Sequence, residues 1–252
     1  MPFMRLLDDL RVLYHLALKP VRGHDHAARL ESFYSGQAEA YDRFRRRLLH
    51  GREEMWNSVQ VPDDGVWVDM GGGTGSNLEI LGDSLSRLRK VYIVDLSPSL
   101  LEIARRRISE RGWANVEAVE ADATAFRPAE GSCDVVTFSY SLTMIPEWFA
   151  AMDNARSILA PGGQIAAVDF YVARKHPLGG LAQHAWSTRS FWPVWFAMDN
   201  VMLSPDHIPY LHRAFEPLHF VERCGTIPFM PFVRAPYYIY HGRNRPAVLH
   251  SD

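Results

Sequence analysis

The sequence predicts a doubly wound α/β fold with a mostly parallel sheet, and three observations carry that prediction. Short apolar runs alternate with helical stretches from residue 66 to residue 170. A glycine-rich turn, Asp69 to Gly75, follows the first run. At 252 residues and 47% hydrophobic content, the chain can bury one full core with an added lobe, which fits better than two complete domains.

The elements follow in order. Residues 3 to 18 place Phe3, Leu6, Leu7, Leu10, Leu13, Tyr14, Ala17 and Leu18 at helical spacing with charges opposite, and Pro20 and Gly23 end this amphipathic helix. A second helical stretch opens near Asp25 and carries Leu30, Phe33, Tyr34, Gln37 and Tyr41 before the basic run Arg43 to Arg47. After the turn Pro62 to Gly65, strands are expected at Val66 to Met70, Val91 to Val94, Val116 to Val119, Val135 to Ser139 and Gln164 to Phe170. Helices are expected at Asn77 to Leu81, from the Ser97-Pro98 start to about Arg111, and near Glu147 to Leu159, before the turn Pro161-Gly162-Gly163. From residue 171 to 240 the composition shifts, with 14 of the 30 aromatic residues. That segment reads as helices covering the sheet's carboxyl edge, then two last strands near Leu218 to Thr226 and Arg234 to Tyr240. The chain divides into an N-terminal helical extension or lid, residues 1–60, and a core domain, residues 61–245, in which 171–217 form a substrate-covering insertion.

Bulk properties exclude several classes. A formal net charge of −2 gives no global bias toward nucleic acid. Cys133 and Cys224 suggest a reducing compartment and no disulfide framework, so a cytoplasmic location is expected. Asp8 and Asp9 interrupt the first twenty residues, which argues against a signal peptide, and no run approaches the length of a membrane span. His24 and His26 form an H-x-H pair without an evident third ligand, and no metal is implied.

In a doubly wound sheet, ligands bind at the carboxyl ends of the strands. The first such end reads Asp69-Met-Gly71-Gly72-Gly73-Thr-Gly75. A dinucleotide fingerprint counted from Gly71 would need glycine where Ser76 stands. The pattern D-x-G-x-G-x-G instead resembles class I methyltransferases, a Rossmann-like family with a mostly parallel seven-stranded sheet. The resemblance implies S-adenosylmethionine as cofactor and S-adenosylhomocysteine as product. It also implies that Asp69 suits the cofactor's ammonium, with Gly71 and Gly73 at the turn. Asp95, at the end of the second strand, is placed to accept the ribose hydroxyls, with Leu96 beside it. Asp122 and Ala123 take the position that contacts the adenine, and Ser139 and Tyr140 the position beside the transferred methyl. Tyr34 and Tyr41, two helical turns apart, either close over the cationic sulfur as a lid or pack as ordinary helix aromatics.

A narrower resemblance rests on two flanking runs. These are Leu30 to Arg45 followed by Leu49-His50-Gly51-Arg52-Glu53, and Asp199-Asn200 through Pro205-Asp206-His207 to Tyr210-Leu-His212. Over roughly residues 28 to 240 the chain resembles the N-methyltransferase component of betaine-lipid synthases. That family implies three successive methylations of the amino group of diacylglyceryl homoserine and a companion 3-amino-3-carboxypropyl transferase. A lipid substrate implies peripheral association with the inner face of a membrane, and the helix from Phe3 to Lys19 is the expected anchor. For the substrate carboxylate, Arg52, Arg174, Arg189 and Arg213 are candidates, with Tyr210 and Trp186 to Phe196 as aromatic walls. His50, Tyr140 and His207 are the candidate proton acceptors. The alternatives are a phosphatidylethanolamine or small-amine N-methyltransferase, and a cofactor-binding adaptor without catalysis.

Overall fold

The computed structural model describes residues 48–198, 200–227 and 230–245. The amphipathic helix at 3–18, the second helical stretch, Tyr34 and Tyr41 lie outside the described residues.

A short helix, α1 (Arg52–Ser58), leads into β1 (Val66–Met70), a 3-10 stretch (Ser76–Arg87) and β2 (Lys90–Asp95). Then come α2 (Pro98–Arg111), β3 (Val116–Glu120), β4 (Cys133–Ser139), α3 (Trp148–Ile158) and β5 (Leu159–Phe170). The chain closes with α4 (Trp186–Ala197), α5 (His207–Ala214), β6 (Phe215–Ile227) and β7 (Met230–Asn244). The seven strands form one sheet in the order β3-β2-β1-β4-β5-β7-β6. The first five are parallel and β7 is antiparallel to both neighbours. The order reverses beside β1, so the crevice predicted for a ligand opens at the ends of β1 and β4.

Sequence explains the central strands: β1 is buried along its whole length, as expected for a strand covered on both faces. One face carries α1, the 3-10 stretch, α2 and α4, through Met55, Trp56, Leu81, Leu101, Trp192 and Phe196. The other carries α3 and α5, through Met152, Ala155, Ile158, Ile208 and Leu211. Trp56 stacks on Trp67 of β1, with ring centroids 5.0 Å apart and nearly parallel, so α1 is fastened to the sheet. The start of α2 follows the sequence rule: Ser97 caps Leu100 N, Pro98 stands in the first turn, and Gly112 ends the helix in the left-handed region.

Two expectations change. The helix expected over Asn77 to Leu81 is a 3-10 stretch, broken at Gly82 with φ 52°, in a run where Gly82, Asp83, Ser84 and Ser86 all disfavour an α-helix. The turn at Pro161 to Gly163 lies inside the span of β5, where Gly162 takes φ 79° and the register against β4 shifts between Cys133 and Val135. Among the described residues no helix is long and apolar enough to cross a membrane.

Candidate active site

The glycine turn is built from below and from the side. Gly71, Gly73 and Gly75 have φ values of 70°, 56° and 68°, a region that side chains other than glycine enter at a cost. Gly71 is also pressed sideways: a Cβ there would stand 2.4 Å from Cβ of Ser141. The Ser141 hydroxyl donates to the Met70 carbonyl at 2.8 Å, tying the loop after β4 to the turn after β1. Beneath, Asp69 has no exposed surface. Its carboxylate accepts from the Thr137 hydroxyl at 2.7 Å and from Asn77 Nδ2 at 3.5 Å. Asp69, expected to face an ammonium, is thus placed under the turn, because strand alternation aims it at Thr137 of the neighbouring strand.

Asp95 is part-exposed at the end of β2, where one carboxylate oxygen accepts from Gly73 N and the other from Ser97 N, both at 2.9 Å. The orientation at the mouth of the turn suits a pair of ribose hydroxyls. Leu96 is half-buried beside it. Asp122 is exposed after β3, accepting from Thr124 N at 2.8 Å, and Ala123 is buried. Ser139 is buried, its hydroxyl without a protein partner. Arg107 donates to the Thr74 carbonyl and, at 3.1 Å, to its hydroxyl, and pairs with Glu79. The turn therefore offers carboxylates and glycine backbone, a donor set that fits S-adenosylmethionine better than a pyrophosphate.

Tyr140 follows β4 with φ 55°, a strained setting for a bulky residue of the kind that clusters at functional sites. Its hydroxyl donates to the carbonyl of His50 at 2.7 Å. Burial pushes the phenol well above its ordinary pKa, so it stays protonated and ties residue 50 to the strand end instead of taking a proton. His50 Nε2 stands 2.9 Å from the Thr226 carbonyl; a carbonyl only accepts, so Nε2 carries a hydrogen, and Nδ1 is the acceptor of the neutral ring. The ring stacks on Tyr237, and Gly225 leaves it room, since a Cβ there would lie 2.1 Å from its Cδ2.

His50 and Tyr237 line a cleft of about 740 Å³ together with Arg52, Glu54 and Arg223. Ser76 and Asn77 line its end by the glycine turn; His50, Glu54, Arg223 and Tyr237 line the other. Arg52 stands at the turn end, its Nη1 donating to Asn77 Oδ1 at 3.2 Å. Arg223 makes a two-pronged pair with Glu54, one prong at 3.0 Å.

The structure does not bring the other predicted residues here. His207 opens α5 on the opposite face, fully buried, and burial lowers its pKa from 6.5 to about 3. It packs edge-on against Trp148, with no hydrogen-bond partner for either ring nitrogen. Tyr210 donates to Asp153, Arg174 pairs with Asp206 at 2.6 Å, and Arg213 is exposed on α5. Arg189 lies on α4. The reason is topological: α4 packs on the face of Phe170 and α5 on the face of Tyr238, and the chain between them crosses the carboxyl edge, where Met202 N donates to the Thr143 carbonyl at 2.8 Å. Sequence reasoning missed Asn77, Tyr237 and the Arg223–Glu54 pair. Asn77 was within reach, two residues past the last glycine of the turn.

Comparison with known proteins adds four findings. Residues 68–163 match the family described as "Methyltransferase domain". The demethylmenaquinone methyltransferase of Lactococcus lactis is 25% identical over 146 residues, 56% of this chain and 58% of that protein. The ubiquinone/menaquinone biosynthesis C-methyltransferase UbiE of Pseudomonas putida is 26% identical over 190 residues, 73% of each chain. Among solved structures, the N-methyltransferase NodS of Bradyrhizobium japonicum, in complex with S-adenosylhomocysteine, aligns with a TM-score of 0.54 at 16% identity. That alignment covers 95% of this chain and 99% of NodS, and it establishes the fold. Residues 68–163 are a methyltransferase domain of the class I fold, and the site they build takes S-adenosylmethionine.

Proposed function

We propose that the chain transfers methyl groups from S-adenosylmethionine to the amino nitrogen of diacylglyceryl homoserine, in succession, to give the trimethylated betaine lipid. The observation that carries this reading is the Arg223–Glu54 pair beside Tyr237 at the far end of the cleft. A homoserine head group is a zwitterion, and a carboxylate and ammonium exchanged into an arginine–glutamate pair keep every charge matched. As methyls accumulate, the nitrogen becomes a fixed cation that Tyr237 can face. The two flanking runs that resemble betaine-lipid synthases support the same substrate.

When bound, the cofactor supplies a methyl already activated by a positive sulfur, so the protein's task is chiefly alignment. In this reading Asp95 holds the ribose, Asp122 and Ala123 the adenine, and the glycine turn with Arg52 the amino-acid end. The Tyr140–His50 hydrogen bond fixes the wall opposite. Nδ1 of His50 takes the amine proton before attack, directly or through water. Tyr34 and Tyr41 remain candidates for closing over the sulfur. Arg174, Arg213, Tyr210 and His207 have no part in this scheme, since they stand on the other face.

A second reading has its own support: relatives named for demethylmenaquinone and ubiquinone methylation make the aromatic carbon of a prenylated quinol an alternative acceptor. Purified protein with methyl-labelled cofactor decides between them. Label is expected in diacylglyceryl homoserine; label in reduced demethylmenaquinone or in phosphatidylethanolamine instead would overturn the assignment.

A further inference from the structure

The helix α4 is apolar on both sides. Its inner side, Trp192 and Phe196, is buried, and Phe196 meets Phe170 at a ring distance of 4.6 Å. Its outer side is just as apolar and uncovered: Val194 is 69% exposed, Met198 60% and Phe191 48%, at positions i, i+3 and i+7 of one stripe. Trp186, at the start of the helix, is 75% exposed, and Leu178, in the loop before it, 61%. Single exposed apolar side chains need no explanation; five on one helix and its leading loop do.

The charge of the same segment is one-sided. The chain has 29 acidic residues, yet none falls between residues 171 and 198, where Arg174, Lys175 and Arg189 stand with His176 and His184. Arg174 is spent on Asp206. Lys175 and His176 are exposed beside Leu178. Two carboxylates reach the loop from other elements, Asp206 on Arg174 and Glu222 on the amide of Ala182, and a second copy docked face to face here would still set Lys175 and His176 against their own counterparts. An anionic bilayer meets both properties: tryptophan and phenylalanine settle at its interface, and lysine is drawn to its surface.

We propose that α4 and the loop from residue 174 to 185 form a docking surface for an anionic membrane, distinct from the helix expected at residues 3 to 19. The surface adjoins the site: Phe170, under Phe196, also touches Tyr140 edge-on at 4.7 Å. Docking through α4 therefore sets the carboxyl edge of the sheet against the lipid. This rests on the reading that the substrate is a lipid.

The test uses the full chain and vesicles of phosphatidylcholine, with and without phosphatidylglycerol, in sedimentation. The wild type is expected to sediment with the anionic vesicles and to remain in solution with the neutral ones. Trp186→Ser combined with Phe191→Ser should weaken binding about a hundredfold, and Lys175→Gln about fivefold. All three side chains are exposed, so melting temperature and S-adenosylhomocysteine affinity should stay at wild-type values. Unchanged sedimentation of the double variant would overturn the proposal, since the contact then lies elsewhere, as in residues 1 to 47. A dimer that the double variant abolishes, without vesicle binding, would assign the face to a second copy and overturn it too. Methylation of detergent-dispersed lipid is measured alongside. Lipid methylation without sedimentation removes the docking surface and leaves the proposed function; sedimentation through α4 without methylation of any lipid does the reverse.

Discussion

The two faces of the sheet meet the same carboxyl edge with the same residue types and use them oppositely. On the face of α1, Tyr140 donates a hydrogen bond to the carbonyl of His50, and His50 lines an open cleft with Tyr237. On the face of α5, Tyr238 and His207 are fully buried with no partner for the phenol or either ring nitrogen. Tyr237 and Tyr238 are neighbours in sequence, and strand alternation alone sends one to the cleft and the other to the core. A histidine or tyrosine is thus a chemical group only when the fold leaves it a polar partner and a route to substrate.

The largest expected effect tests the turn that both faces share. Gly71→Ala forces a Cβ into Ser141 at a left-handed φ, so S-adenosylhomocysteine affinity by calorimetry should drop at least about a hundredfold. An alanine variant that binds normally would show the turn to be yielding. The comparison itself is sharpened by the two histidines. His50→Gln should lower turnover about a hundredfold at neutral pH, whereas His207→Leu should leave it within about twofold; equal losses would break the distinction between the faces. Tyr140→Phe removes the hydrogen bond to residue 50 and should reduce turnover about tenfold with cofactor affinity unchanged.

The smallest effect on activity carries a pH signature. His207 has its folded pKa lowered to about 3, so the stability its neutral form contributes is full above about 6.5 and lost as pH falls toward 3. Asp169 runs the other way: burial raises it to about 7 against hydrogen bonds from Thr143 and Phe170, so its contribution is full below 3.8 and lost as pH rises through 7. In His207→Leu the acid limb shrinks to that of His241, which burial lowers to about 4, with His184 and His212, so the melting temperature should drop less between pH 6 and 4 than in the wild type. A variant that keeps the full wild-type drop between pH 6 and 4 would show that His207 is not the buried neutral group.

Much of the sheet was legible because its signals are local. Apolar runs, the Ser97-Pro98 start and the glycine spacing each depend on a few consecutive residues, and Asp95 could be placed by its strand end alone. The cleft was less legible. Arg223 and Tyr237 reach it from β6 and β7, far beyond Glu54 and His50 in the chain, through antiparallel pairing that no local pattern reveals. His207 and Tyr210 share a sequence run with the aromatic segment, yet the chain crosses the edge between them. Only tertiary packing records that crossing.

The crossing also offers a clock. The amide of Met202 is bonded to the Thr143 carbonyl where the chain passes over the strand ends, and Asp169 grips Thr143 from below. Deuterium uptake at that one amide counts how often the span lifts, and slower uptake with a two-tailed acceptor in place would time the residence of a lipid beneath it.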